Sequence, residues 1–159
     1  LNSYFQIEKK FFQFNSNNVT LKILLFFIFI QIIFGAFVSG LDAGKIYQTW
    51  PLMNESYFPD DITLNGLLNL NQPSAVQFFH RNLAYLIFFL TIYIGYTIYT
   101  KNRSLITPYI YLASAVSIQI FLGIITLISS LNLYVALMHQ FSSIFLISVS
   151  LNLYFRSIK

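Results

Sequence analysis

The sequence predicts an all-α integral membrane protein: an antiparallel four-helix transmembrane bundle with both termini on the inner side. Three observations carry this reading. Of the 159 residues, 57% are hydrophobic and only 9% are charged, a balance too apolar for a soluble domain of this size. Four apolar stretches, at about 19–40, 76–100, 107–130 and 132–155, reach the roughly 20 residues that a helix needs to cross a bilayer core. The basic residues are also unevenly shared between the two sides that those spans define. Lys9, Lys10, Lys22, Lys101, Arg103, Arg156 and Lys159 fall on one side, and only Lys45 and Arg81 on the other. Inner loops carry the excess of Lys and Arg, so an even number of spans places both termini inside. The net charge of +4 then reflects loop asymmetry rather than a nucleic-acid surface.

Residues 1–18 read as an inside tail or linker. The chain opens on Leu1 rather than Met, with no signal-peptide pattern, and this leads to the expectation of a fragment or a processed product. The first span, 19–40, ends in the small residues Gly35, Ala36, Ser39 and Gly40, which suit close helix packing. The outer loop, 41–75, holds Pro51, Pro59, Gly66 and Pro73, and the acids Asp42, Glu55, Asp60 and Asp61. Within it, "DDITLNGLLNL" predicts a short interfacial helix capped by Asp60 or Asp61. The second span, 76–100, is followed by the tight "KNRS" turn. The third and fourth, 107–130 and 132–155, are separated by almost nothing. Cysteine is absent, which removes disulfides, thiolate metal sites and Cys nucleophiles.

The only two histidines are His80, in "QFFHRN", and His139. By helical rise they sit about 6 and 10 Å below the outer boundary of two different spans. Ionisable side chains within a membrane are costly and tend to mark functional sites. An internal echo accompanies the pair: "IQIIFGAFV" in the first span and "IQIFLGIIT" in the third both contain Gln-x3-Gly, at Gln31/Gly35 and Gln119/Gly123. The order is a glycine helix followed by a histidine helix, twice. Two level histidines are too few for zinc, which takes three or four protein ligands. They match the two axial positions of haem iron. Gly35 and Gly123 then either leave room for the haem or serve close packing. Arg81 is a candidate propionate clamp, with a salt bridge to Asp42, Asp60 or Asp61, or interfacial anchoring, as its other roles. The cofactor-binding candidates are therefore His80, His139, Arg81, Gly35 and Gly123, with His80 and His139 as metal ligands.

The stretches "GAFVSGLDAGKIYQTWPLM" (Gly35 to Met53), "QFFHRNLAY" (Gln77 to Tyr85), "LGIITL" (Leu122 to Leu127) and "ALMHQ" (Ala136 to Gln140) resemble the C-terminal half of the heme A synthase family. The resemblance runs from about Thr20 onward and departs at Gln48, where the family carries asparagine. It implies an eight-span protein of two similar four-helix bundles that oxidises a methyl group of heme O to the formyl group of heme A, for cytochrome oxidase. By this resemblance, His80 and His139 ligate a haem b that carries electrons. The substrate heme O and a reactive glutamate belong to the N-terminal half, so no catalytic residue is assigned to this half, and alone it is expected to be inactive. The implied partners are that N-terminal half, heme O synthase, an electron donor or acceptor and membrane lipid, with homo-oligomerisation left open and no nucleic acid. The implied location is the bacterial plasma membrane or the mitochondrial inner membrane. A non-catalytic b-type cytochrome or membrane anchor is the alternative, separated from the first reading only by the resemblance. A cofactor-free transporter or assembly bundle leaves the paired histidines without a purpose. Dehydrogenase, hydrolase and nucleic-acid functions lack their motifs.

Overall fold

The structure, a computed structural model, describes residues 18–63 and 66–158. The tail 1–17, on which most of the linker reading falls, lies outside the described residues. Among the described residues four helices follow one another: α1 (Val19–Gly40), α2 (Pro73–Lys101), α3 (Ile106–Ile128) and α4 (Leu133–Ser157). All are long and apolar enough to cross a membrane. Short 3-10 turns at Ala43–Lys45 and Arg103–Leu105 punctuate the links. Among the described residues there is no strand, only an isolated bridge between Met53 and Ser56.

The helix boundaries refine the sequence reading for local reasons. Helix α2 begins at Pro73 rather than at residue 76 because proline suits a first-turn position, where its missing N–H would have no intrahelical partner. Helix α3 stops at Ile128, and Ser130 and Leu131 then turn left-handed, with φ of 55° and 62°. That reversal lets Asn132 cap α4, its side chain accepting from the N–H groups of Tyr134 and Val135. The expected interfacial helix is not formed. Its described residues make turns instead, with Gly66 N–H donating to the Thr63 carbonyl and Asn69 N–H to that of Gly66. Asp60 and Asp61 are taken up by other contacts, described below, and Leu64 and Asn65 lie outside the described residues.

The helices pack as α1 on α2, α2 on α3, α3 on α4 and α4 on α1, so α2 and α4 stand diagonally. The core fills only one end of this square. Leu24, Ile28, Ile87, Ile94, Leu112, Val116, Leu146, Leu153 and Tyr154 form its centre, away from the 41–72 loop. In α1 nothing beyond Ile28 is buried, in α3 nothing beyond Val116, and in α4 nothing before Leu146. Of the helices' loop-end halves, only Ser74–Gln77 of α2, under the loop, are buried. The outward faces are apolar, with Phe26, Phe89, Tyr96, Phe121 and Phe141 each more than half exposed, as expected of helices whose solvent is lipid.

Two glycines of these helices make opposite demands. A Cβ on Gly95 would collide with the Tyr109 ring, so the bare backbone of α2 is what lets α3 approach there; a Cβ on Gly40 would meet nothing within 4 Å. Gly95→Ala is therefore expected to lower stability by about 1–3 kcal/mol through overpacking. Gly40→Ala should be neutral or slightly stabilising, because alanine loses less backbone freedom in a helix. Thermal unfolding of the two variants in detergent, followed by circular dichroism, checks the contrast.

Candidate functional site

Each Gln-x3-Gly segment builds a seat for one histidine. From α1, Gln31 Nε2 donates to the His80 carbonyl at 3.1 Å, and Gly35 faces the imidazole, where a Cβ would come within 3.3 Å of Cε1. From α3, Gln119 Nε2 donates to the His139 carbonyl at 2.9 Å, and a Cβ on Gly123 would lie 3.1 Å from Cε1 of His139. The sequence echo is thus a structural repeat, in which glutamine grips the backbone of the next helix and glycine yields space to its ring. In the α3–α4 pair, Gln119 reaches both Ser142 and His139, while Gly123 faces His139. The contacts run in opposite chain directions, so the pair is antiparallel.

All six residues are half-buried and lie in the sparsely filled half of the bundle. The two imidazoles stand on diagonal helices. Nδ1 of each histidine is buried without a hydrogen-bond partner. Among the described residues no group of three or more His, Cys, Asp or Glu side chains gathers to hold a metal ion. The donor set on offer is two imidazoles, which suits a metal centre that takes its other ligands from a macrocycle.

The seats differ in detail. Gln31 Nε2 also lies 3.3 Å from Nε2 of His80, and Gln31 Oε1 is a buried acceptor without a donor. Gln119 Oε1 instead meets the hydroxyl of Ser142, which also lies within reach of the His139 carbonyl. The ring of His139 has no hydrogen-bond partner among the described residues. The sequence reading singled out the Gln-x3-Gly repeat but named only its glycines as site residues. Its regular placement before both histidine helices was the signal for the glutamines as well.

Among the described residues Arg81 does not pair with an acid. Its NH2 donates to the Tyr47 carbonyl at 3.0 Å and its NH1 to the Leu52 carbonyl at 3.2 Å, so the alternative role of a salt bridge to Asp42, Asp60 or Asp61 gives way to backbone contacts. The acids are engaged elsewhere. Asp42 pairs with Lys45 at 2.9 Å. Asp60 and Asp61 both meet the Tyr47 hydroxyl, and Asp61 also accepts from Ser74. Burial first, and then these two carboxylates, push the Tyr47 hydroxyl above its ordinary range, so it stays protonated as a donor. Gln77 Nε2 adds a bond of 2.8 Å to the Tyr47 carbonyl.

Ser74, Gln77 and Arg81, spaced three and four residues apart along one face of α2, therefore clasp the loop around Tyr47. The clasp is worth roughly 1 kcal/mol per bond where it is buried. On the far side of the loop Gly44 packs against Leu131 in the α3–α4 turn, so the loop ties both helix pairs together at this end. Arg81→Ala is expected to free the 47–52 segment without unfolding the bundle. Hydrogen–deuterium exchange should show faster exchange at 47–52 and unchanged protection around Leu112 and Leu153.

Comparison with known proteins agrees with this architecture. A family model described as cytochrome oxidase assembly protein matches residues 8–151. The chain is 43% identical over 134 residues to a heme A synthase of Pelagibacter ubique, covering 82% of this chain and 40% of that protein. It is 46% identical over 132 residues to a heme A synthase of Wolbachia pipientis wMel, covering 81% and 36%. The Bartonella quintana heme A synthase is 39% identical over 124 residues, covering 74% and 34%. The chain thus spans between about a third and two fifths of the length of these relatives. No solved structure matches it. Four membrane-crossing helices and a match over nearly the whole chain lead to one conclusion: this is an integral membrane protein belonging to the heme A synthase family of cytochrome oxidase assembly proteins.

Proposed function

We propose that this chain is the C-terminal half of a heme A synthase, and that it holds a haem b through His80 and His139 during oxidation of the heme O methyl group to the formyl group of heme A. The observation that carries this reading is the pair of equivalent seats, each of which sets one imidazole against a glycine of the preceding helix in the sparsely filled half of the bundle. The residues suit the group. The donor set is two imidazoles with no competing thiolate, and each glycine lets an imidazole pack where a Cβ would crowd it. Haem b, when bound, supplies one-electron transfer.

The chain's own residues do the rest. Gln31 and Gln119 fix the rotation of the histidine helices. Gly35 and Gly123 let each ring lie back against its neighbour. The clasped loop covers the N-terminal end of α2, beside His80, and limits water there. Arg81 is directed to the loop carbonyls, while its Nε is buried without a partner; that N–H remains to donate to a propionate. With basic residues on the terminal side, the loop end faces outward, where a redox partner in the periplasm or intermembrane space has access. Heme O synthase is the expected source of substrate. The oxidation itself draws on groups beyond this stretch, because no carboxylate lies within a span to handle the methyl protons.

The test is a haemin titration of the purified chain, followed by an assay with heme O. A six-coordinate b-type spectrum without heme A formation is expected. His80→Ala or His139→Ala should abolish that spectrum. Absence of haem binding by the unmodified chain would remove the cofactor reading, and heme A formation by this chain alone would overturn the division of labour.

Gly35→Leu and Gly123→Leu should each reduce haem content, since a leucine would displace the imidazole that packs there. Haem quantified per protein by the pyridine haemochrome method decides this. Unchanged content in both variants would show that the glycines serve helix packing only.

A further inference from the structure

The two histidine seats are unequal at the ring, and the difference has a chemical meaning. Gln31 Nε2 lies 3.1 Å from the His80 carbonyl oxygen and 3.3 Å from His80 Nε2. A backbone carbonyl can only accept, so the atom facing it is the NH2 group of the amide; the flipped amide would set two oxygens against each other. The same NH2 group must then donate to the imidazole as well. His80 Nε2 is therefore the lone-pair nitrogen, and the ring proton sits on Nδ1. This reverses the preference of an unpartnered neutral histidine, which carries its proton on Nε2. His80 Nδ1 is buried on the side of the ring that packs against Gly35, which leaves Nε2 as the nitrogen turned away from that glycine. At His139 the corresponding amide donates to the carbonyl, Gln119 Oε1 is held by Ser142, and the ring has no hydrogen-bond partner among the described residues.

We infer that Gln31 is a positioning residue that holds His80 in the Nδ1–H tautomer, with the Nε2 lone pair ready for a metal, and that His139 has no such lock. The use of that lone pair rests on the proposed haem site; the tautomer itself does not. A ligand pre-set in its coordinating form need not move a proton when the metal arrives. Ordering of a ligating histidine by a hydrogen-bonding neighbour is a general feature of metal sites. In this site the neighbour addresses the ligating nitrogen itself, and yields it when the metal arrives while keeping its grip on the His80 carbonyl.

The chain's two histidines make the test direct. With 15N-labelled histidine in lipid nanodiscs and no haem added, two-bond nitrogen–proton correlations report the tautomer of each ring; His139→Ala tells the two apart. The expected result is a single Nδ1–H tautomer at His80. Gln31→Met, close in shape but without a donor, should shift His80 to a mixture dominated by Nε2–H and leave His139 unchanged. Gln119→Met should leave the His80 tautomer unchanged. An Nε2–H tautomer at His80 in the unmodified protein would overturn the inference without recourse to any variant. So would an unaltered His80 in a Gln31→Met protein of normal helicity. A haemin titration of the unmodified protein runs in parallel. If haem fails to bind while His80 shows the expected tautomer, the haem reading falls and the lock stands.

Discussion

The contact on which the loop-end half of this bundle depends is a hydrogen bond from a glutamine amide to the backbone carbonyl of a histidine on the next helix. It is made twice, by Gln31 to His80 and by Gln119 to His139. Inside a bilayer an unpaired amide is costly and helices gain little from burying apolar surface against one another, so directional polar contacts and close backbone approach do the aligning. Each such bond contributes only about 1 kcal/mol. Its greater effect is geometric, because it sets how α2 and α4 are turned about their axes, and so where the imidazoles point. Glycine one turn further along completes the arrangement by removing the Cβ that would displace the ring.

The two ends of the bundle divide the work. At the terminal end, interlocking aliphatic side chains and Tyr154 close the square. At the loop end the helices keep few buried side chains, and the structure there relies on the loop. Tyr47 is the centre of that loop: its ring is buried, its hydroxyl meets Asp60 and Asp61, and its carbonyl accepts from both Gln77 and Arg81. The apolar end supplies stability. The polar end carries the two histidine seats, held by bonds that a core of leucines would not provide.

Arg81 shows how neighbouring residues on one helix acquire different tasks. It follows His80 directly, but successive residues on a helix point about 100° apart. One side chain therefore enters the seat made by α1, and the other reaches outward to the loop carbonyls. The clasp and the seat are built on adjacent turns of α2, so the position of the loop and the orientation of His80 are mechanically linked. Gly44 against Leu131 extends that link to the α3–α4 pair.

The sequence by itself determined the four spans, because twenty apolar residues in succession admit one solution in a bilayer. It also showed the two-fold Gln-x3-Gly and histidine pattern, because helical rise alone sets residues at similar depth. Depth along a helix is a local property, and so it was legible. What only the tertiary structure decided depends on which helix faces which, and on how the loop returns. The glutamines proved to grip carbonyls, the glycines to touch the imidazoles, and Arg81 to hold Tyr47 and Leu52 instead of an acid. The described residues after Asp60 form turns rather than a helix, and the would-be caps are bonded to Tyr47 and Ser74. Those outcomes rest on partners 13 to 49 residues away, and no local pattern in the chain encodes which of several competing partners a polar side chain will meet.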